Sequence, residues 1–254
     1  MSTMTLAQRA AEQPLPLLIL DFDGTLCLGD GPVLAYAAAV TDQIPESARK
    51  SLHEALAQFL AQDSNAPAYK DGYAAVAALS EGLLDEAALS QAYTESRRQL
   101  AAGEVTISAP DGLAAFLDQL EGVAFRIVLT NAPLTGVAES LTTLGLAPSI
   151  DLIIADANKP GGFTELLPDF LQDRAPYELL SVGDVWSNDI EVPARAGCAT
   201  AFIDRFNHQS GAATLRAARF ELLYAAITDW AHNPAVFISN QPSISTPSSE
   251  KAPL

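Results

Sequence analysis

The chain has 254 residues, and 49% of them are hydrophobic, which is enough for one large domain or for a core with a smaller insertion. Its 14 Lys and Arg residues against 31 Asp and Glu residues give a net charge of −17, which disfavours binding to nucleic acid and to anionic membrane surfaces. No apolar run has the length of a transmembrane helix, and the polar N-terminus lacks the apolar stretch of a signal peptide. We therefore expect a soluble, cytoplasmic protein.

The predicted elements begin with a short apolar strand over residues 14–20, which ends at an acidic turn. Over residues 31–103 strand signals are absent, and alanine-rich patterns with apolar residues at helical spacing, such as Leu52 and Leu56, predict about four helices. Because this block directly follows the first strand, we predict that residues 29–103 form an inserted helical cap.

Beyond Gly103, predicted strands and helices alternate along the chain. The strands are expected at 125–129, 152–154, 177–182 and 199–203, and the helices at 110–120, 135–144, 163–171 and 189–196. This alternation predicts an α/β fold with a doubly wound parallel sheet, covered by helices on both faces. We assign the core to residues 14–28 and 104–233, and we predict that the Ser- and Pro-rich tail, 239–254, is disordered.

The two cysteines, Cys27 and Cys198, are far apart in the sequence and lack the CxxC spacing of zinc sites. We interpret both as buried reduced thiols, with a disulfide as the alternative. Reduced thiols agree with a cytoplasmic location.

Polar side chains follow the predicted strands, at the edge where ligands bind in open parallel sheets. They are Asp21 and Asp23 after the first strand, Thr130 and Asn131 after the second, Lys159 near the third, and Asp184 and Asp189 after the fourth. Taken alone, each of these could be an ordinary turn, cap or solvated loop residue. Together they predict four carboxylates, one ammonium and one hydroxyl on a single rim.

The chemistry of such a rim is restricted by its charge. Four acids close together repel one another, and some would be protonated unless a cation were present. Carboxylate oxygens without His or Cys select Mg²⁺, and a site with Mg²⁺, Lys159, a hydroxyl and backbone amides suits a phosphoryl group. Asp21 could attack phosphorus and form an acyl phosphate. The turn at Gly24 would have to bend the chain so that Asp23 also reaches the site.

These stretches together resemble the four motifs of the haloacid dehalogenase (HAD) superfamily, in its phosphatase-like branch with a helical cap. The first motif matches DFDGTL at residues 21–26, and the second matches LTN at 129–131. The third matches Lys159 with Pro160. The fourth matches residues 183–184 with Asp189, in the variant with four residues between the two acids. The resemblance extends from about residue 14 to about residue 233.

The resemblance implies catalytic roles for three residues. Asp21 is the implied nucleophile, and its carboxylate also contacts Mg²⁺. Asp23 is the implied general acid and then general base, and it offers its backbone carbonyl to Mg²⁺. Lys159 pairs with Asp21 and with the phosphoryl oxygens. Dehalogenases of the superfamily lack the second acid, so the presence of Asp23 favours phosphoryl transfer.

The resemblance also implies binding roles for the remaining residues of the rim. Thr130, with the backbone amide of Asn131, binds the transferring phosphoryl group. Asp184 and Asp189 hold Mg²⁺, directly or through water. The expected activity is Mg²⁺-dependent hydrolysis of a small phosphorylated metabolite through an aspartyl-phosphate. A phosphomutase acting on sugar phosphates and a catalytically silent binding protein on the same fold remain alternatives, and the oligomeric state is left open.

The predicted cap contains few basic residues, among them Lys70, Arg97 and Arg98. One of them could reach a distal group of the substrate. Ordinary solvated charge is the interpretation that we favour for all three. The sequence shows no set of cap residues that would identify the substrate.

Overall fold

The computed structural model describes residues 3–63, 67 and 69–241. Its centre is a six-stranded sheet in which every neighbouring pair of strands is parallel, in the order β3-β2-β1-β4-β5-β6. The strands are β1 (Leu17–Leu20), β2 (Phe125–Leu129), β3 (Leu152–Ile154), β4 (Leu179–Gly183), β5 (Ala199–Ile203) and β6 (Leu215–Ala217). This topology confirms the predicted doubly wound α/β class.

The sheet is covered on both faces, and its inner strands are mostly apolar and buried at successive positions rather than at alternate ones. All four residues of β1 are buried, and so are all five of β4 and of β5. Successive side chains of β1 join two different hydrophobic clusters, with Leu18 and Leu20 in one and Leu17 and Ile19 in the other. Both cysteines are buried free thiols, as predicted.

Helices account for most of the remaining described chain. They are α1 (Thr3–Ala11), α2 (Gly31–Thr41), α3 (Glu46–Leu60), α4 (Gly72–Leu79), α5 (Glu86–Ala101), α6 (Leu113–Gln119), α7 (Leu134–Thr143), α8 (Gly161–Leu171), α9 (Glu191–Arg195), α10 (Tyr224–His232) and α11 (Pro234–Ser239). Among the described residues, none of these helices is long and apolar enough to cross a bilayer.

Helices α2 to α5 lie between β1 and β2 in the chain and share a third hydrophobic cluster, built around residues such as Tyr36, Leu56 and Val76. The chain passes into and out of this helical segment at one place. There, Leu28 and Ser108 exchange two backbone hydrogen bonds of 2.7 and 3.0 Å. Helix α5 also packs against α7 of the sheet-bearing part.

The structure differs from the sequence prediction mainly at element ends. β1 begins at Leu17 rather than at residue 14, because Pro14 and Pro16 cannot donate to a sheet ladder. β4 begins two residues later than predicted, after a 3-10 turn over Pro176–Glu178. Asp189 was predicted to begin a helix, but it lies in a π turn, Trp186–Ile190, that precedes α9.

Four elements were not predicted, namely α1, β6, α10 and α11. α1 places Ala7 and Ala10 against the sheet, and α11 packs Phe237 and Ile238 against the other face. β6 has only three residues, and none of them is fully buried, so its hydrophobic signal is weak. Beyond Gln241, the predicted disordered tail (239–254) lies outside the described residues.

Candidate active site

All seven site residues predicted from the sequence line one cavity of about 540 Å³ at the carboxyl ends of the strands. They are Asp21, Asp23, Thr130, Asn131, Lys159, Asp184 and Asp189. The structure therefore brings the predicted set together, while the chemical role of each residue stays a prediction.

The turn after β1 directs both of its acids into this cavity. The carbonyl of Phe22 accepts backbone hydrogen bonds of 2.9 Å from Leu26 and from Cys27, which folds the chain back tightly. Gly24 has a φ of +82°, a left-handed conformation that favours glycine. A Cβ at Gly24 would lie 2.1 Å from Oδ2 of Asp184, so only a glycine lets the turn pass this carboxylate.

Lys159 forms ion pairs with two acids, Asp21 after β1 and Asp189 after β4. Its Nζ donates to Oδ1 of Asp21 at 2.7 Å and to Oδ1 of Asp189 at 2.6 Å, and its side chain is almost completely buried. The side chain of Asn131 holds the backbone of Lys159: Oδ1 accepts from its N–H at 2.5 Å, and Nδ2 donates to its carbonyl at 3.0 Å. The side chain of Asn131 therefore positions the backbone of Lys159.

The two acids that follow β4, Asp184 and Asp189, differ in their hydrogen bonding. Asp189 is held on both carboxylate oxygens, because Oδ2 also accepts from the backbone N–H of Val185 at 3.1 Å. Its own carbonyl accepts from the hydroxyl of Ser181 at 2.7 Å. Oδ1 of Asp184, by contrast, is buried and has no hydrogen-bond partner within the part of the chain that the structure describes. A buried acceptor without a donor is costly unless something else binds it.

The electrostatics of the cluster show an excess of negative charge. Burial raises the pKa of Asp21 to about 7, against the opposing effect of the Lys159 ammonium. Burial, together with the charges of Asp21 and Asp189, raises the pKa of Asp184 well above its usual value. Burial alone would lower the pKa of Lys159, but Asp189 and Asp21 outweigh it and hold that pKa above its usual range. One ammonium does not compensate three buried carboxylates.

These residues fit a divalent cation. Carboxylate oxygens of Asp21, Asp184 and Asp189 lie within 4.8 Å of one another, and the donor set is oxygen alone, which suits Mg²⁺. Counting Asp23 and its partner Arg97 as well, four carboxylates face two cations, which leaves two negative charges uncompensated. The carboxylate of Asp23 is outside the cluster of three, and the predicted ligand role of its backbone carbonyl stays a prediction.

The sequence analysis missed the contact between Asp23 and Arg97 of α5. Arg97 is only 2% exposed, so the interpretation of this residue as a solvated charge is wrong, although it holds for Arg98, which pairs with Glu95 on the surface. The signal was present in the helical spacing. Arg97 follows Tyr93 by four residues and precedes Leu100 by three, which places it on the buried stripe of α5.

The helical segment and the loop after β5 both line the cavity and contact each other. Phe206 of this loop stacks on Phe59 of α3 with ring centroids 5.1 Å apart, and Arg205 pairs with Asp30 at 3.1 Å. The cavity is in the size range of small-molecule sites. A large substrate would have to displace these contacts.

The tight approach of Gly24 to Asp184 can be tested with a matched pair of substitutions. Gly82 has a similar φ of +75°, but a Cβ there would meet nothing within 4 Å. Gly82→Ala should cost about 1 kcal/mol of unfolding free energy, the usual cost of a left-handed alanine. Gly24→Ala should cost at least twice as much, because Asp184 must also move. Equal losses in urea unfolding of the two variants would contradict this account of the turn.

Comparison with known proteins gives matches in structure alone. No family model and no curated protein matches the sequence. The chain is similar to the HAD-hydrolase YfnB from Bacillus subtilis, solved bound to magnesium, at 17% identity and a TM-score of 0.57 over 85% of this chain and 100% of that one. It is also similar to CbbY from Rhodobacter sphaeroides in complex with phosphate, at 16% identity and a TM-score of 0.57 over 82% and 96%.

A third similar structure is the 2-haloacid dehalogenase from Pseudomonas syringae pv. Tomato DC3000, at 20% identity and a TM-score of 0.50 over 85% and 99% of the two chains. The chain therefore has the fold of the HAD hydrolases, which confirms the expected architecture. These three structures include a dehalogenase and a complex with phosphate, so the fold does not by itself select the reaction.

Proposed function

We propose that this protein is a Mg²⁺-dependent phosphatase that hydrolyses a small organic phosphomonoester through an aspartyl-phosphate. The observation that carries the proposal is the arrangement of charged groups around Lys159. Its ammonium forms ion pairs with both Asp21 and Asp189, and beside them lies the carboxylate oxygen of Asp184 that has no hydrogen-bond partner among the described residues. Proteins of the same fold have been solved with magnesium and with phosphate, the two ligands that this proposal requires.

The first half of the proposed reaction is a transfer to Asp21. A carboxylate oxygen of Asp21 forms a bond to phosphorus as the bond from phosphorus to the ester oxygen breaks. Asp23 gives its proton to that leaving oxygen, which departs as an alcohol. Lys159 stabilises negative charge on the phosphoryl oxygens, and the hydroxyl of Thr130 and the backbone amide of Asn131 donate hydrogen bonds to them.

The second half returns Asp21 to its starting state. Asp23, now ionised, takes a proton from water, whose oxygen attacks the phosphorus of the acyl phosphate. The bond between phosphorus and Asp21 breaks, and inorganic phosphate leaves. Mg²⁺, held by Asp21, Asp184 and Asp189, would supply charge neutralisation for the phosphoryl oxygens. We propose that α2 to α5 act as a cap that excludes bulk water from this cavity.

A screen of sugar, nucleotide and short carboxylic-acid phosphates, ranked by kcat/KM, tests this function. We expect Mg²⁺-dependent release of inorganic phosphate, loss of this release on chelation, and its return when Mg²⁺ is added in excess.

The variant Asp184→Asn should bind Mg²⁺ more weakly than the native protein. The measurement is the midpoint of thermal unfolding, which added Mg²⁺ should raise less in the variant. Isomerisation of a hexose 1-phosphate without phosphate release would indicate a mutase. No turnover of any compound with Mg²⁺ would instead support the silent binding protein.

A further inference from the structure

Arg97 occupies both carboxylate oxygens of Asp23, the residue that acts as general acid in the proposed reaction. Nη1 of Arg97 donates to Oδ1 of Asp23 at 3.2 Å, and Nη2 donates to Oδ2, so the guanidinium engages both oxygens. A bidentate pair of this kind occupies the acceptor sites of the carboxylate and fixes its orientation. Asp23 cannot turn to the leaving oxygen while Arg97 holds both of its oxygens, so the pair has to separate before the leaving group departs.

Arg97 is held in the cavity wall by groups other than Asp23. Its Nε donates to the hydroxyl of Tyr93 at 3.0 Å. Its guanidinium lies 5.1 Å from the ring centroid of Tyr93 and 5.4 Å from that of Tyr73. Helix α5 also packs closely on α7, where a Cβ at Gly136 would lie 3.2 Å from the carbonyl of Arg97. When Asp23 turns away, the guanidinium stays in place with two N–H groups directed into the cavity.

A buried guanidinium without an anion is costly, so an oxyanion has to replace the departing carboxylate. The other acids that line the described cavity are already engaged. Asp30 pairs with Arg205, Asp71 caps α4 and lies 3.9 Å from Lys70, and the remaining three form the cluster around Lys159. The substrate is the remaining source. Arg97 lies on the cap side of Asp23, and the atom that Asp23 protonates belongs to the leaving group.

We propose that Arg97 is a specificity-determining residue that binds an oxyanion on the leaving group of the substrate, in exchange for the carboxylate of Asp23. The inference rests on the proposed phosphatase function and narrows its substrate class. The preferred phosphomonoesters carry a second anionic group, a carboxylate or a second phosphate, near the ester oxygen. Binding of that group releases the Asp23 carboxylate from Arg97, so that recognition of the substrate and movement of Asp23 toward the leaving oxygen are one event.

Three small substrates test the proposal. Phosphoglycolate carries a carboxylate, ethane-1,2-diol bisphosphate carries a second phosphate, and ethyl phosphate carries neither. We expect the native protein to prefer at least one anionic substrate over ethyl phosphate by about 10- to 100-fold in kcat/KM, the range of a charged hydrogen-bonded contact. Which of the two is preferred separates carboxylate recognition from phosphate recognition.

Substitutions then assign the preference to Arg97. In Arg97→Gln the ratio of kcat/KM between the anionic substrate and ethyl phosphate should fall to near one. In Arg97→Lys the ratio should be intermediate, because lysine keeps the positive charge but cannot form two parallel hydrogen bonds as the guanidinium does. The matched control is Arg98→Gln, one position along α5 on the exposed face, which should keep the native ratio. A purely structural role for Arg97 would lower kcat/KM for all three substrates together and leave the ratio unchanged.

The outcomes are distinct. A native protein that hydrolyses all three esters with no preference overturns the proposal, without any variant having to fold. An unchanged ratio in Arg97→Gln overturns it as well. Absence of Mg²⁺-dependent hydrolysis of all three substrates and of the wider screen would instead count against the phosphatase function itself.

Discussion

Asp21→Asn is expected to lower kcat by at least about 10⁴-fold in the presence of Mg²⁺, because an amide cannot form the acyl phosphate. Asp21 is the acid that both ends the central strand and contacts Lys159, so the substitution removes the nucleophile while it keeps the shape of the side chain. The measurement is phosphate release from the best substrate of the screen, at saturating substrate.

The control for this variant is Asp111→Asn, the same chemical change at an exposed position before α6. It should leave kcat within about twofold of the native value. Circular dichroism and urea unfolding should show that Asp21→Asn remains folded. Residual turnover above about one hundredth of the native rate would falsify the assignment of Asp21 as nucleophile.

Lys159→Met is expected to lower the unfolding free energy by about 3 to 5 kcal/mol at pH 8 without added metal. The ammonium is the cation that contacts both Asp21 and Asp189, and without it these buried carboxylates face one another uncompensated. The pKa of Asp21 is already raised to about 7, so its carboxylate takes up a proton as the pH falls. The loss of stability should therefore be smaller at pH 5 than at pH 8.

Urea unfolding at the two pH values measures this effect, and Lys50→Met is the control. Lys50 is 85% exposed and lies 3.7 Å from Glu54, so its replacement should change stability by less than about 0.5 kcal/mol. Equal losses for Lys159→Met and Lys50→Met, or a larger loss at pH 5 than at pH 8, would contradict the burial of excess negative charge around Lys159.

The architecture was predictable because it depends on strong local signals. The strands 125–129, 152–154 and 199–203 were predicted at their observed bounds, since each is a short and largely apolar run next to a turn. The polar residues that follow the strands could be assigned to one site from the sequence, because the carboxyl ends of parallel strands lie at one edge of the sheet. The seven predicted residues accordingly line one cavity.

Contacts between the helical segment and the sheet could not be predicted from the same signals. Asp23 and Arg97 are far apart in the chain, and nothing local to either residue identifies the other. The same holds for Phe59 of α3 and Phe206 of the loop after β5, whose rings stack on each other. Such pairs depend on the angle at which α2 to α5 meet the sheet, and periodicity within one element does not determine that angle.

The backbone pairing of Leu28 with Ser108 affects which changes of sequence the fold can tolerate during evolution. Because the two ends of the inserted segment are bonded to each other, the spacing of β1 and β2 does not depend on the number or order of the residues between them. An insertion or deletion within α2 to α5 changes the walls of the cavity and leaves the strand register intact. In a lineage of related chains, residues such as Arg97 can therefore diverge while Asp21 and Lys159 stay in place.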